Sequence, residues 1–215
     1  MTWIKICGIT NLEDGKKAAS LGVDALGFIF APSPRKIDPI LAHAIIRYLP
    51  ASIIKVGVFV NQSISEVKKI AAYCGLDTLQ FHGDESPMYC KTFFLPVIKA
   101  LRMKNSESLK EVEKYHHVTL LLDTYSPVQA GGTGSVFPWE IAGRLKGKKD
   151  FVLSGGLTPS NIGKAIQTLK PWGVDVCSGV EESSGKKDLL NMKDFIKEVR
   201  KADEQDRSNI QTIKK

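Results

Sequence analysis

Among the 215 residues there is no C-x-x-C pair, no run of about 18 apolar residues and no G-x-G-x-x-G fingerprint, and no low-complexity segment or close repeat interrupts the chain. Each absence removes a class of protein. Cys7, Cys74, Cys90 and Cys177 are scattered singly, which argues against a metal site of the zinc type and against a dense disulfide framework; reduced cytosolic thiols fit better. Without a membrane-length apolar run, or a basic segment leading into an apolar one at the N-terminus, the chain is expected to be soluble, unexported and cytoplasmic, with no membrane partner. The net charge of +7 does not imply nucleic acid, because Lys and Arg are spread along the chain with no aromatic interleaving for base stacking. Such a basic surface favours anionic substrates instead. With 43% hydrophobic residues and no linker, one domain over residues 1–202 is expected, followed by a polar, frayed tail over 203–215. A monomer is compatible with these features.

Short runs rich in Val, Ile and Phe alternate with segments of helical period. The runs cover residues 3–8, 24–30, 53–60, 77–82, 95–101, 118–123, 151–154 and 173–178. Asp38-Pro39, Ser86-Pro87 and Thr158-Pro159 each place a capping side chain before a proline, and Ser63 with Glu66 forms a capping-box pattern. Strict alternation of strand and helix implies parallel strands joined by right-handed crossovers. Eight units of roughly 25 residues, with glycines late in the chain, favour an α/β single-domain (β/α)8 TIM barrel over an open doubly wound sheet.

Barrels of this kind carry their chemistry at the C-terminal ends of the strands. Those ends give Cys7, Arg35 after the second run, His82, Asp123, Ser154-Gly155-Gly156 and Cys177-Ser178-Gly179. Cys7 is either a small buried hydrophobe or a reactive group; if it faces the interior, Lys5 does too, and an ammonium there would favour the thiolate. Asp123 ends an apolar run, where an unpaired carboxylate is costly, so it either caps a loop or has a task. Arg35, after the stiff Pro32-Ser33-Pro34 turn, is a surface charge or a ligand group. Gly155, Gly156, Ser178 and Gly179 make two adjacent loops whose backbone N–H groups suit a phosphate. Asp175 either meets a sugar hydroxyl or forms an ion pair with a lysine inside the barrel. His82 fits a hydrogen-bonded wall residue better than a proton shuttle, and Cys74, Cys90 and Cys177 keep a structural reading.

Several segments resemble phosphoribosylanthranilate isomerases. They are Lys5-Ile6-Cys7-Gly8-Ile9-Thr10, Gln80-Phe81-His82-Gly83, Leu121-Leu122-Asp123-Thr124, Gly131-Gly132-Thr133-Gly134, Leu153-Ser154-Gly155-Gly156-Leu157 and Ser178-Gly179-Val180-Glu181. One such motif is weak, whereas six in family order are specific. The resemblance implies an Amadori rearrangement of N-(5-phosphoribosyl)anthranilate in tryptophan biosynthesis, with a phosphosugar as the only partner and no cofactor. It implies Cys7 as general base, Asp123 as general acid and Arg35 facing the ring carboxylate. Gly131 to Gly134 is then a mobile cover or a passive loop, and Ser135 and Pro138 depart from the family pattern. Two rivals remain at this level: the barrel isomerase of histidine synthesis, which uses two aspartates, and a non-catalytic phosphate-binding barrel.

Overall fold

Alternation of side chains along each strand divides the apolar residues into two layers, one filling the inside of a barrel and one facing the helices around it. The computed structural model describes residues 1–103, 107–123, 142–145, 147 and 150–213, with side chains to residue 206. The strands are β1 (Trp3–Cys7), β2 (Ala25–Ile29), β3 (Ile54–Phe59), β4 (Thr78–Phe81), β5 (Val97–Arg102), β6 (Thr119–Asp123), β7 (Phe151–Ser154) and β8 (Gly173–Val176). They pair in parallel in chain order, and β8 closes on β1, with Lys5 beside Asp175. Each overlaps one of the eight apolar runs, so the TIM barrel expected from the alternation is the observed fold.

Ala25, Val56, Ile98, Ala100, Leu121 and Val152 fill the interior. Ile4, Ile6, Leu26, Phe28, Phe59, Phe81, Leu120 and Leu153 belong to the larger core outside it. Burying each such large side chain contributes about 1.5–3 kcal/mol, which is why register along the strands is tightly specified.

The helices are α1 (Leu12–Ser20), α2 (Pro39–Ile46), α3 (Ile64–Cys74), α4 (Pro87–Cys90), α5 (Ser108–Lys114), α6 (Ile162–Leu169) and α7 (Leu189–Ile213) among the described residues. Their starts follow the side-chain chemistry. Asn11 accepts from the Asp14 N–H, Asp38 from Ile40, Ser63 from Glu66 and Ser86 from Tyr89. Thr158-Pro159 does not start a helix as expected. Asn161 reaches back to the Thr158 N–H, and α6 begins only at Ile162, after a turn closed on the Thr158 carbonyl. The segment after Ser86 is a single helical turn, and Phe93 and Phe94 precede β5.

Two further features extend the eight units. A short antiparallel hairpin, β9 (Glu181–Ser183) with β10 (Lys186–Lys187), follows β8. The segment from residue 203, expected as a frayed tail, continues α7 to Ile213, and Asp203 accepts from both the N–H and the hydroxyl of Thr2. No described helix is long and apolar enough to cross a membrane.

Candidate active site

Cys7 ends β1 with its side chain in the barrel, and Gly27 on β2 makes room for it. A Cβ at Gly27 would stand 2.6 Å from the Cys7 sulfur and 3.1 Å from Lys5 Cε. Lys5 is fully buried two residues earlier on the same face, and its Nζ donates to Asp175 Oδ1 at 2.7 Å. Asp175 Oδ2 accepts from the Ser154 hydroxyl at 3.3 Å. Of the two roles left open for Asp175, the ion pair with a lysine is therefore formed. Burial acts on Lys5 to lower its pKa, but the charges of Asp175 and Cys7 prevail and hold it protonated above its ordinary range.

Lys5 favours the Cys7 thiolate as expected, but burial outweighs it. Burial raises the Cys7 pKa above the ordinary thiol value, and the Lys5 and Lys187 charges offset this only in part. Desolvation of the anion outweighs two nearby ammoniums because Asp175 already neutralises one of them.

On the far side of the mouth, β6 ends in Asp123, whose Oδ2 lies 3.0 Å from His82 Nε2. Gln80 Nε2 lies 3.4 Å from His82 Nδ1; in the tautomer whose Nδ1 accepts from that amide, Nε2 carries the proton and faces Asp123. Both partners are partly exposed to the barrel mouth.

The loops after β7 and β8 are pressed together. Gly155 and Gly156 adopt φ of 89° and 63°, which a side chain would resist, and a Cβ on Gly179 would overlap the Leu157 carbonyl oxygen. Ser178–Val180 forms a single 3₁₀ turn. The backbone of Gly155, Gly156, Ser178 and Gly179 thus borders one end of the mouth.

Arg35 is not a loose surface charge. Its Nε donates to Glu181 Oε1 and Oε2 at 2.8 and 3.0 Å, and its Nη2 to Oε2 at 2.6 Å. Its stem crosses Gly8, where a Cβ would meet Arg35 Cδ at 2.9 Å.

A family model of N-(5'phosphoribosyl)anthranilate (PRA) isomerase matches residues 4–198. The chain belongs to the N-(5'-phosphoribosyl)anthranilate isomerase family. The enzyme of that name from Desulforudis audaxviator is 49% identical over 204 residues, 94% of this chain and 100% of the relative. Among solved structures, phosphoribosyl anthranilate isomerase from Thermotoga maritima is 40% identical with a TM-score of 0.88, over 93% of this chain and 99% of that one. Another phosphoribosyl anthranilate isomerase, solved in complex with reduced 1-(o-carboxyphenylamino)-1-deoxyribulose 5-phosphate, is 38% identical with a TM-score of 0.85 over the same shares.

In this N-(5'-phosphoribosyl)anthranilate isomerase barrel, sequence reasoning overlooked three contributors. Cys177, read as structural, sits beside Gly8 at the mouth, within electrostatic reach of Cys7, Arg35 and Lys187. Burial drives its thiol up to about 12. Lys187 and Glu181 were not singled out, yet both side chains are buried and paired at 2.7 Å. Their only sequence signal was a glutamate inside the Ser178-Gly179-Val180-Glu181 motif. The Gly131–Gly134 loop, Ser135 and Pro138 lie outside the described residues.

Proposed function

We propose that this barrel isomerises N-(5-phosphoribosyl)anthranilate to 1-(2-carboxyphenylamino)-1-deoxyribulose 5-phosphate, a step of tryptophan biosynthesis, with Asp123 as acid and Cys7 as base. The observation that carries the division of roles is the pairing of each group with its own support: Lys5 beside the Cys7 thiol, and His82 beside the Asp123 carboxyl.

Asp123 gives its proton to the furanose ring oxygen as the C1–O bond breaks, and the anilino nitrogen supplies the electron pair that forms a protonated Schiff base. Negative charge then grows on Asp123, where the N–H of His82 stabilises it. The iminium acidifies the C2–H. The Cys7 thiolate takes that proton, the released pair forms C1=C2 and neutralises nitrogen, and the enolamine tautomerises to the ketone. Oxidation at C2 balances reduction at C1, so the reaction consumes no external electron donor. A base with a raised pKa suits this step: once ionised by the small fraction available near neutral pH, it binds a proton strongly.

The remaining residues hold the substrate. The paired loops with Gly155, Gly156, Ser178 and Gly179 offer backbone N–H groups to the phosphate. Asp175 meets a sugar hydroxyl while it anchors Lys5, and Arg35 takes the ring carboxylate. All four cysteines are free, and a thiol base requires Cys7 to stay so, which supports a cytoplasmic setting.

The deciding assay follows the loss of anthranilate-sugar fluorescence, with substrate made in place from anthranilate and phosphoribosyl pyrophosphate. Rapid loss with the wild type that disappears in Cys7→Ala is expected. A folded wild type that leaves the fluorescence unchanged overturns the reaction, and full activity in Cys7→Ala removes the base.

A further inference from the structure

Arg35 has five N–H donors in a planar fork. Glu181 takes the edge formed by Nε and one Nη2 hydrogen, which leaves the terminal edge of Nη1 and Nη2 for a second carboxylate. A side chain with this many rotatable bonds loses much entropy when it is ordered, unless something has already ordered it. Glu181 does so from a carboxylate that is only 4% exposed.

The carboxylate is itself fixed from several directions. Lys187 Nζ, fully buried, donates to Glu181 Oε1 at 2.7 Å and to the Cys177 carbonyl at 3.3 Å. The Gly185 N–H donates to Oε1 at 3.4 Å, and the Lys187 N–H is held by Asp14 Oδ2 at 2.8 Å. The Thr10 hydroxyl donates to the Gly185 carbonyl at 2.5 Å. The β9–β10 hairpin is thus latched to the start of α1, and through Glu181 it reaches the loop after β2. Two cations share the Glu181 carboxylate here, so Glu181 is held by Lys187 while it grips Arg35.

We infer that Glu181, backed by Lys187, is a positioning residue: it orients the Arg35 guanidinium so that its terminal edge, and no other, receives the ring carboxylate of the substrate. The inference rests on the reading that Arg35 binds this carboxylate. Because the Arg35 stem lies across Gly8, directly after Cys7, the orientation also sets how far the aromatic ring sits from the base. Glu181 touches no reacting atom.

The test compares two ligands, reduced 1-(o-carboxyphenylamino)-1-deoxyribulose 5-phosphate and its counterpart without the ring carboxylate, by calorimetric titration of wild type, Glu181→Gln, Glu181→Asp and Arg35→Ala. Glu181→Gln is expected to weaken the carboxylated ligand at least tenfold and the other less than twofold, and to raise KM more than it lowers kcat. Glu181→Asp keeps a countercharge for Lys187 but shortens the grip, so it should show the same selective loss even where the glutamine variant folds poorly. Adding Glu181→Gln to Arg35→Ala should cost no further affinity. If both ligands weaken equally, or neither weakens, while Arg35→Ala discriminates between them, the positioning role is overturned and the Arg35 reading stands. If Arg35→Ala itself fails to discriminate, the carboxylate reading falls and takes the inference with it.

Discussion

His82 Nε2 points at Asp123 Oδ2 across 3.0 Å, from the end of β4 to the end of β6 over the intervening β5. A donor in this place gains strength as Asp123 loses its proton, so it lowers the barrier more than it stabilises the ground state. Asp123→Asn is expected to cut turnover by about 100- to 10,000-fold. His82→Ala should cost less, on the order of 10- to 100-fold, the worth of a hydrogen bond to a charged group. Both variants should bind the reduced product analogue nearly as the wild type does. Stopped-flow turnover beside analogue titration checks this; a His82 variant with normal kcat would show the contact to be passive.

The thiols set a pH dependence of stability. Burial raises Cys7 and Cys177, the latter to about 12, and raises Cys74 and Cys90 to about 11. Unfolded thiols titrate at about 8.5, so above that pH the unfolded chain gives up protons that the native state retains. Fewer protons on the unfolded side means stability falls with rising pH; it is complete below about pH 8 and is lost progressively toward 11. Calorimetric Tm between pH 8 and 10 should therefore decline, and decline less steeply in a Cys74→Ala/Cys90→Ala double variant. An equal slope in both proteins would assign the effect to other groups.

The loop that carries His82 hangs on a buried ion pair. Lys99 Nζ donates to Glu85 Oε2 at 2.8 Å, and the Glu85 carboxylate also accepts from the N–H groups of Asn61 and Gly83. Glu85→Ala strands the Lys99 ammonium in the interior, at a cost of about 3–5 kcal/mol, or on the order of 10 °C in Tm. Thermal melts of the variant decide this. A drop of a degree or two would mean that water reaches Lys99.

Gly179 tests the contact between the two loops assigned to the phosphate. A methyl group there runs into the Leu157 backbone, which cannot swing aside as a side chain can. Gly179→Ala should raise KM for substrate, and the Kd for inorganic phosphate should rise in parallel. Unchanged phosphate binding would move the phosphate away from these loops.

Much of this was legible in residue order because it depends on local periodicity. The alternation of apolar runs with helical segments implied parallel strands, their eightfold repetition favoured the closed barrel, and the strand ends named Cys7, Asp123, Arg35 and His82 together. Caps at Asp38, Ser63 and Ser86 are likewise contacts over a few residues. The failures are of the opposite kind. Thr158-Pro159 lost its helix start because the Asn161 side chain accepts from the Thr158 N–H and holds the segment as a turn, and the helix begins only at Ile162. Asp203, at the start of the stretch expected as a polar tail, meets Thr2 across 201 residues, a contact that residue order does not show.

What only the tertiary structure decided is the electrical state of the site. Glu181 grips Arg35 across 146 residues, and Lys5 meets Asp175 across 170. Residue order left Asp175 open between a sugar hydroxyl and a lysine and gave no sign of the Arg35–Glu181 pair, since each contact exists only once β8 closes on β1. Whether Lys5 or burial governs the Cys7 thiol is likewise settled by how much water the closed barrel excludes, because the cost of desolvating a charge depends on everything packed around it and not on its neighbours in the chain.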